Sequence, residues 1–410
     1  MITVESTEKV LEQAIASYSK MPFETAQLYK KYVLNFPIPQ GDAEGGTDLE
    51  KLRTQIANES RLRFDLYNGK EGTVSSSEFV KVSGKKQNDY REDANAGFEE
   101  RLGAYVSSRS KNSVEIDIPA GREAKLNFLF LCDSSNAPVQ VVANIGDGSR
   151  LSLFEWFGSA SDARCASTTL HVINAGSRSN VEINMLHNEG LETGVGALNR
   201  VSAGEDSVVR MNGIYNGGKL TRSSTFAEAS GRGSNLLVNE IVLGNAEQKF
   251  DINTFILNSN QQTKAVLKTG AVLKGKSFCI LKGYAKVAEH TNGSYSNVEE
   301  RGLVLDPDAR IQPLPDMSID CKDVAFASHS ASTAPLDKEA LFYLMSRGID
   351  ETKAKRIFVA SFLSKYLADI ENDIVKEIAI SILLDKLDND RHTPVPKISM
   401  QNLWIVPKKR

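Results

Sequence analysis

The chain has 410 residues, a net charge of −3, 25% charged and 41% hydrophobic residues. That is enough for one large core or two to three domains, and the near-neutral balance gives no bulk attraction to nucleic acid or to an acidic membrane surface. No apolar run approaches the roughly eighteen residues of a membrane-spanning helix.

The opening MITVESTEKV lacks the basic-then-apolar pattern of an export signal. Four cysteines, Cys132, Cys165, Cys279 and Cys321, form no C-x-x-C pair. That excludes a zinc knuckle or a dithiol motif and predicts a reducing, cytoplasmic compartment.

In chain order, Val10, Leu11, Ala14, Ile15 and Tyr18 share one face of a predicted helix. Pro22 breaks it, and a second helix is predicted over Phe23–Leu34. Residues 41–47 (GDAEGGT) read as a linker, and Asp48 can cap a short helix through Ile56. Weak strands follow at Arg63–Tyr67 and Phe79–Val82, then a helix at Gly97–Val106. Residues 1–110 are thus assigned as a helical and mixed N-terminal region.

From about Ser113 the pattern changes. Val114 to Ile118 alternates apolar and polar, and Pro119-Ala120-Gly121 turns it. Short strands then recur behind Gly148, Gly176, Gly204, Gly231 and Gly275, at intervals of roughly 25 to 45 residues. Sandwiches, barrels and solenoids all show short strands with such turns. A β-helix explains the repeated glycine-small-polar-strand pattern best, because each rung turns a corner before it stacks on the last.

Three helices are predicted after residue 335, at 337–348, 350–369 and 373–388, and the remaining 391–410 form a tail. Asp337 caps the first, Leu336 can staple onto Leu341, and Gly348 stops it where a left-handed residue is needed. Leu341, Leu344 and Met345 keep one of its faces apolar. Asp350 caps the second, in which Ala354, Ile357, Phe358, Ser361 and Phe362 set the packing rhythm. Ile374, Ile378, Ile382 and Leu383 form the stripe of the third.

Five residue runs carry a resemblance: Ser328-His329-Ser330-Ala331-Ser332, Leu336-Asp337, Leu341-Phe342-Tyr343-Leu344, Ser346-Arg347 and Gly348-Ile349. This stretch resembles the end of the β-helix and the following helices of the SufB/SufD family of iron–sulfur cluster assembly proteins. A weaker likeness runs through roughly residues 95 to 370. The resemblance implies a mainly β fold, a right-handed parallel β-helix core over 111–334, flanked by N-terminal and C-terminal helical regions. Residues 335–390 would then dock a SufC-type ABC ATPase. Leu341, Phe342, Tyr343, Arg347, Gly348 and Arg356 are the candidate docking residues, with Lys353, Lys355 and Lys365 beside them.

The same resemblance makes His329 the candidate ligand for iron or a nascent cluster, close to the contact with a SufB-type subunit. A neutral imidazole can ligate iron. Cys321, eight residues earlier, is a weaker thiolate candidate if the intervening strand bends. The cluster or iron is expected to be transient, or absent from the isolated chain.

Where SufB-type members carry a cysteine ahead of a late strand, this chain has Arg301. Their glutamate-histidine step reads Phe326-Ala327-Ser328-His329 here. Both features place the chain on the SufD side. Ser330 replaces a family glycine, a later glycine is lost in Ala331–Pro335, and Asn258 stands where a family strand has histidine. These departures keep two alternatives open: a stand-alone SufB-like scaffold acting as a homodimer, and a structural adaptor without metal chemistry.

The other histidines read as structural. His171 and His187 lie in strand-like runs as satisfied polar groups, His290 precedes a turn, and His392 sits in a solvated tail. Cys279, between Phe278 and Ile280, reads as core. Phosphate-loop, G-x-S-x-G, H-E-x-x-H and dinucleotide motifs are all missing, so a non-enzymatic subunit is expected.

Overall fold

The computed structural model describes residues 4–23, 49–60, 62–68, 70–71, 78–84, 98–110, 112–132, 137–160 and 163–389. The helix predicted over Phe23–Leu34 lies almost wholly outside these residues, as do the linker at 41–47 and the tail at 391–410.

The N-terminal part supplies helix α1 (Val4–Ser17), α2 (Leu49–Ser60), short strands β1 (Leu66–Tyr67), β2 (Lys70–Glu71) and β3 (Val80–Gly84), and α3 (Phe98–Arg109). From Asn112 the chain then lays strands alternately into two sheets. The first sheet receives β5 (Glu123–Cys132), β7 (Arg150–Ser159), β9 (Asn180–Asn188), β11 (Val208–Tyr215), β13 (Asn235–Gly244), β15 (Lys264–Leu273), β17 (Tyr295–Val304) and β20 (Phe326–Pro335). The second receives β4 (Asn112–Ile118), β6 (Ala137–Ile145), β8 (Ala166–Ala175), β10 (Gly194–Ala203), β12 (Leu220–Ala229), β14 (Lys249–Asn258) and β16 (Phe278–Val287), then the short β18 (Arg310–Pro313) and β19 (Asp316–Ile319).

From β4 onward every neighbouring pair within a sheet is parallel, so the core is a parallel β-solenoid of about 7 turns. Gly194 pairs with Leu220 and Phe278 with Arg310, so one turn takes between 26 and 32 residues.

The recurring glycines have a steric cause. A Cβ on Gly231 would sit 1.9 Å from the Glu205 nitrogen on the rung below. Gly148 has φ +67°, the left-handed corner conformation that glycine adopts without strain. Small hydroxyls complete the corners: Ser179 Oγ and Ser207 Oγ each donate 2.7 Å to the carbonyls of Gly176 and Gly204.

Stacked parallel strands bury both faces, polar residues included: in β12 (LTRSSTFAEA) only Leu220 and Glu228 are not buried. Between the sheets lie Leu126, Phe128, Leu153, Ile183, Met211, Val238, Leu267 and Val298. The outer face of the first sheet carries Leu129, Trp156, Leu186, Ile214, Ile241 and Val272. It is covered by α2 and by two C-terminal helices, α5 (Glu351–Leu367) and α6 (Asp373–Asp388). The outer face of the second sheet carries Val172, Leu198, Phe226 and Phe255 under α1 and α3.

Two predicted helix faces are corrected. In α5 the buried stripe is Ala354, Val359, Ala360, Leu363, Tyr366 and Leu367, whereas Ser361 is exposed and Ile357, Phe358 and Phe362 are half-buried. The face is rotated because Tyr366 seats on Gly270, where a Cβ would come within 2.4 Å of its ring. Tyr366 O also accepts from Asn239 Nδ2 at 2.9 Å. In α6, Ile374 is exposed while Val375, Ile378, Ile382 and Leu383 are buried. The short helix α4 (Lys338–Ser346) has no buried residue at all, so its apolar face finds no core.

A Gly270→Val substitution places a branched side chain against Tyr366. We expect it to cost about 1–3 kcal/mol by overpacking and to loosen α5 from the sheet. Chemical denaturation and limited proteolysis read this directly: an unchanged midpoint and no new cleavage in residues 351–388 would contradict the docking described here.

The open end of the solenoid and its polar interior

The two ends of the solenoid are finished differently. At the first end, β3 pairs antiparallel with β4, and β2 pairs antiparallel with β1, which itself lies parallel on β5. These short pieces stop the parallel ladder. At the far end the second sheet closes with β18 and β19, four residues each, broken around Leu314 and Pro315. Short, proline-bearing edges resist further pairing. The first sheet closes differently. Strand β20 runs ten residues, pairs with β17 along its whole length, and has no partner on its other side among the described residues.

The β20 sequence FASHSASTAP is small and polar, and most of it is exposed. Its Leu336 and Phe326 amides point back to Val304 and Ser294 carbonyls. By the alternation of a parallel ladder, the amides of Ala327, His329, Ala331 and Thr333 face the open edge. His329 sits opposite Val298 in register, on the face that lines the interior in earlier rungs. Because no further rung covers it, the imidazole is exposed.

The structure does not bring Cys321 to His329. Its thiol lies 3.4 Å from Asn292 Oδ1 and 3.8 Å from the Asp323 carbonyl, at the corner before β20. Strand β20 pairs with β17 at every residue without a bulge, and the run from Phe326 to His329 alone spans about 10 Å. Among the described residues no group of three or more His, Cys, Asp and Glu side chains is gathered to hold a metal ion. Among these residues His329 stands as a single exposed imidazole.

Helix α4 follows β20 directly. Asp337 Oδ1 accepts from the Glu339 and Ala340 amides at 2.9 and 3.1 Å, and Gly348 closes the helix at φ +86°. Phe342 is 71% exposed and Tyr343 57% exposed, with the Arg347 guanidinium 5.2 Å over the Tyr343 ring. Leu341 is half-buried. The nearby cations are engaged within the chain. Arg356 Nε donates to Asp388 at 2.8 Å, Lys353 pairs with Asp350 at 3.0 Å, Lys355 with Glu351 at 2.7 Å, and Lys365 with Glu299. Phe342 and Tyr343 thus leave an exposed aromatic tip on α4, whereas these four cations are each engaged by a carboxylate.

The model of the family described as "SUF system FeS cluster assembly, SufBD core domain" matches residues 128–362, more than half of the chain. The chain belongs to the SufB/SufD family. It is 27% identical over 205 residues to the iron–sulfur cluster assembly protein SufD of Bacillus subtilis, covering 47% of each chain. It is 21% identical over 244 residues to SufD of Escherichia coli, covering 60% of this chain and 57% of that one. A SufBD family protein of Pyrococcus horikoshii is 28% identical over 141 residues, covering 34% and 31%. The matches to the two SufD proteins thus span about half the length of those relatives.

Within this SufB/SufD fold the interior holds acids that sequence reading passes over or, for Glu300, reads with Glu299 as solvated turn charges. Glu155, Glu240 and Glu300 each take an inward position on the first sheet and are buried. The signal was an acid at an inward position of an apolar strand, as in Val238-Asn239-Glu240-Ile241-Val242. Glu240 accepts from Thr254 at 2.8 Å and from Thr269 at 3.1 Å, and burial pushes it up to about 7. Glu300 accepts from the Leu314 amide at 2.8 Å, and burial pushes it up to about 8.

The expectation for His171 is also corrected. It faces Glu155 across the interior, Nε2 3.1 Å from Oε2, but out of hydrogen-bond alignment, so both ring nitrogens stay unbonded. His187 Nδ1 does meet Glu189 Oε1 at 3.0 Å, and its ring stacks between Phe157 and Tyr215. His290 occupies an exposed corner at φ +64°, and His392 lies outside the described residues. Cys279 is fully buried, and burial raises its thiol pKa. Cys132 and Cys165 share a small apolar cluster with Ala163. Asn258 donates 2.9 Å to Thr263 Oγ1, a corner contact. Arg301 donates to Glu299 on its own strand.

A carboxyl whose folded pKa lies above its unfolded value near 4.3 favours folding fully below that value. The advantage is lost as pH rises through about 7 for Glu240 and about 8 for Glu300. Unfolding free energy should therefore fall between about pH 4.3 and pH 8 and level off above that. In the Glu240→Gln/Glu300→Gln variant that slope should flatten and stability at pH 9 should exceed the native chain's. Urea melts across this range check it, and parallel pH profiles for the two proteins would contradict the assignment.

Proposed function

We propose that this chain is a SufD-like, non-ATPase scaffold subunit of the iron–sulfur cluster assembly system, acting in the cytoplasm. In this reading it pairs with a SufB-type subunit through the β20 edge and docks a SufC-type ATPase through α4–α6. The open ten-residue strand β20 is the observation that supports it best. An unpaired row of backbone groups at the end of a solenoid is a template for strand addition by a second, similarly built subunit.

His329 then faces the junction and offers one imidazole to iron or to a forming cluster, whose remaining ligands come from the partner. Phe342 and Tyr343, with Arg347 stacked on the latter, form the apolar anchor of the ATPase contact. Because α4 continues straight from β20, movement of the ATPase subunits would be transmitted to the junction as a mechanical pull. The chain supplies a lever and one ligand and performs no turnover chemistry of its own.

Two variants separate the two contacts. Ala331→Pro removes one outward amide and leaves the β17 ladder intact. Co-purification from the same source should lose the SufB-type subunit and keep the SufC-type ATPase. Phe342→Ala/Tyr343→Ala should do the reverse. If both variants keep both partners, the reading fails. If the native chain alone sediments as a dimer that Ala331→Pro dissociates, the stand-alone scaffold replaces it. His329→Ala should assemble normally but lower cluster yield in reconstitution at least tenfold; full yield would leave only the adaptor role.

A further inference from the structure

A second surface lies away from the open end, at the corner where the second sheet begins its later rungs. Lys249, Phe278 and Arg310 open strands β14, β16 and β18 and stand in register, one above the other. Successive rungs are about 4.8 Å apart, so the Phe278 ring has a cation one rung to each side. Lys276 from the preceding corner, Ser277 and Asp308 complete a groove of about 580 Å³. Lys249, Lys276 and Arg310 are exposed and Phe278 is half-buried. None of the three cations is paired with a carboxylate among the described residues.

Two neighbouring lysines of the same sheet are paired, unlike these three. Lys219, one rung before Lys249, is bonded to Glu192, and Lys286 farther along β16 to Asp320. The groove gathers three cations against one carboxylate, Asp308, for a local charge of +2. The ladder fixes the backbone spacing of the three cations, so an arriving anion has only their side chains to order. An aromatic ring among them adds a stacking platform.

We propose that this groove binds a phosphorylated ligand with a planar ring, of the nucleoside phosphate class. The ring lies on Phe278, and the phosphates lie between Lys276, Lys249 and Arg310. The inference is independent of the pairing and docking proposed above, since none of these residues belongs to β20 or to α4–α6.

The test uses the full chain purified without partners, titrated with ADP, inorganic pyrophosphate and adenosine by calorimetry at low salt. ADP is expected to bind saturably, at least tenfold tighter than pyrophosphate, with adenosine weaker still. Lys249→Ala/Arg310→Ala, two exposed positions that should leave the fold intact by circular dichroism, is expected to weaken ADP at least tenfold. Phe278→Leu is expected to weaken ADP while leaving pyrophosphate unchanged. No saturable ADP binding up to 1 mM, equal affinity for ADP and pyrophosphate, or ADP binding untouched by Lys249→Ala/Arg310→Ala would each overturn the proposal.

Discussion

The structure depends on one constraint: a parallel strand can satisfy its backbone only through the rungs above and below it. Register is kept from β5 to β20 and from β6 to β16 without a slip, so each inward column stays inward for the whole length. That regularity fixes the core, since Leu126, Leu153, Ile183, Met211, Val238, Leu267 and Val298 form one continuous file. It also leaves problems at the two faces and the two ends. The faces are met with helices, α1 and α3 on one side and α2, α5 and α6 on the other. The first end is met with antiparallel pieces. The last end is met only on one sheet, and the proposed function grows from that asymmetry.

Polar groups inside the solenoid cost stability unless they are bonded, and this interior keeps several. Glu240 is shared between Thr254 and Thr269, and Tyr215 Oη lies 2.7 Å from Ser223 Oγ. On the outer face of the first sheet, Asn184, Asn212 and Asn239 form a ladder that ends on the Tyr366 carbonyl. That ladder ties α5 to the sheet through main-chain contacts that apolar packing alone would not specify. Lys386 does the same for α6. Its ammonium, buried, donates to the Leu243 carbonyl at 2.6 Å, and burial lowers its pKa well below the usual lysine value.

Much of this was legible in the sequence, for physical reasons that differ by element. The solenoid showed itself through its corners, because stacked backbones admit only glycine at positions such as Gly231. The caps of α4 and α5 showed themselves through Asp337 and Asp350, which bond the free amides of the first turn as expected. The packed face of α5 did not, because it is set by Gly270, a residue about a hundred positions away that no local pattern reveals. Arg356 shows the same limit: local sequence offers a free cation, while the fold hands it Asp388 from the next helix. Interior acids were missed because periodicity treats an acid as solvent-facing unless the register is known. His329 stood out through likeness alone; its exposure follows from β20 being the last rung, a property of the whole ladder.

Amide hydrogen exchange on the chain alone and mixed with a SufB-type subunit tests the central claim most directly. The amides of Ala327, His329, Ala331 and Thr333 should exchange within seconds in the free chain, while those of β9–β13 stay protected for hours. On mixing, these four amides should slow at least a hundredfold. If they are already protected in the free chain, or if the partner slows amides elsewhere and leaves these four unchanged, the open rung is not the docking edge and the account built on it is wrong.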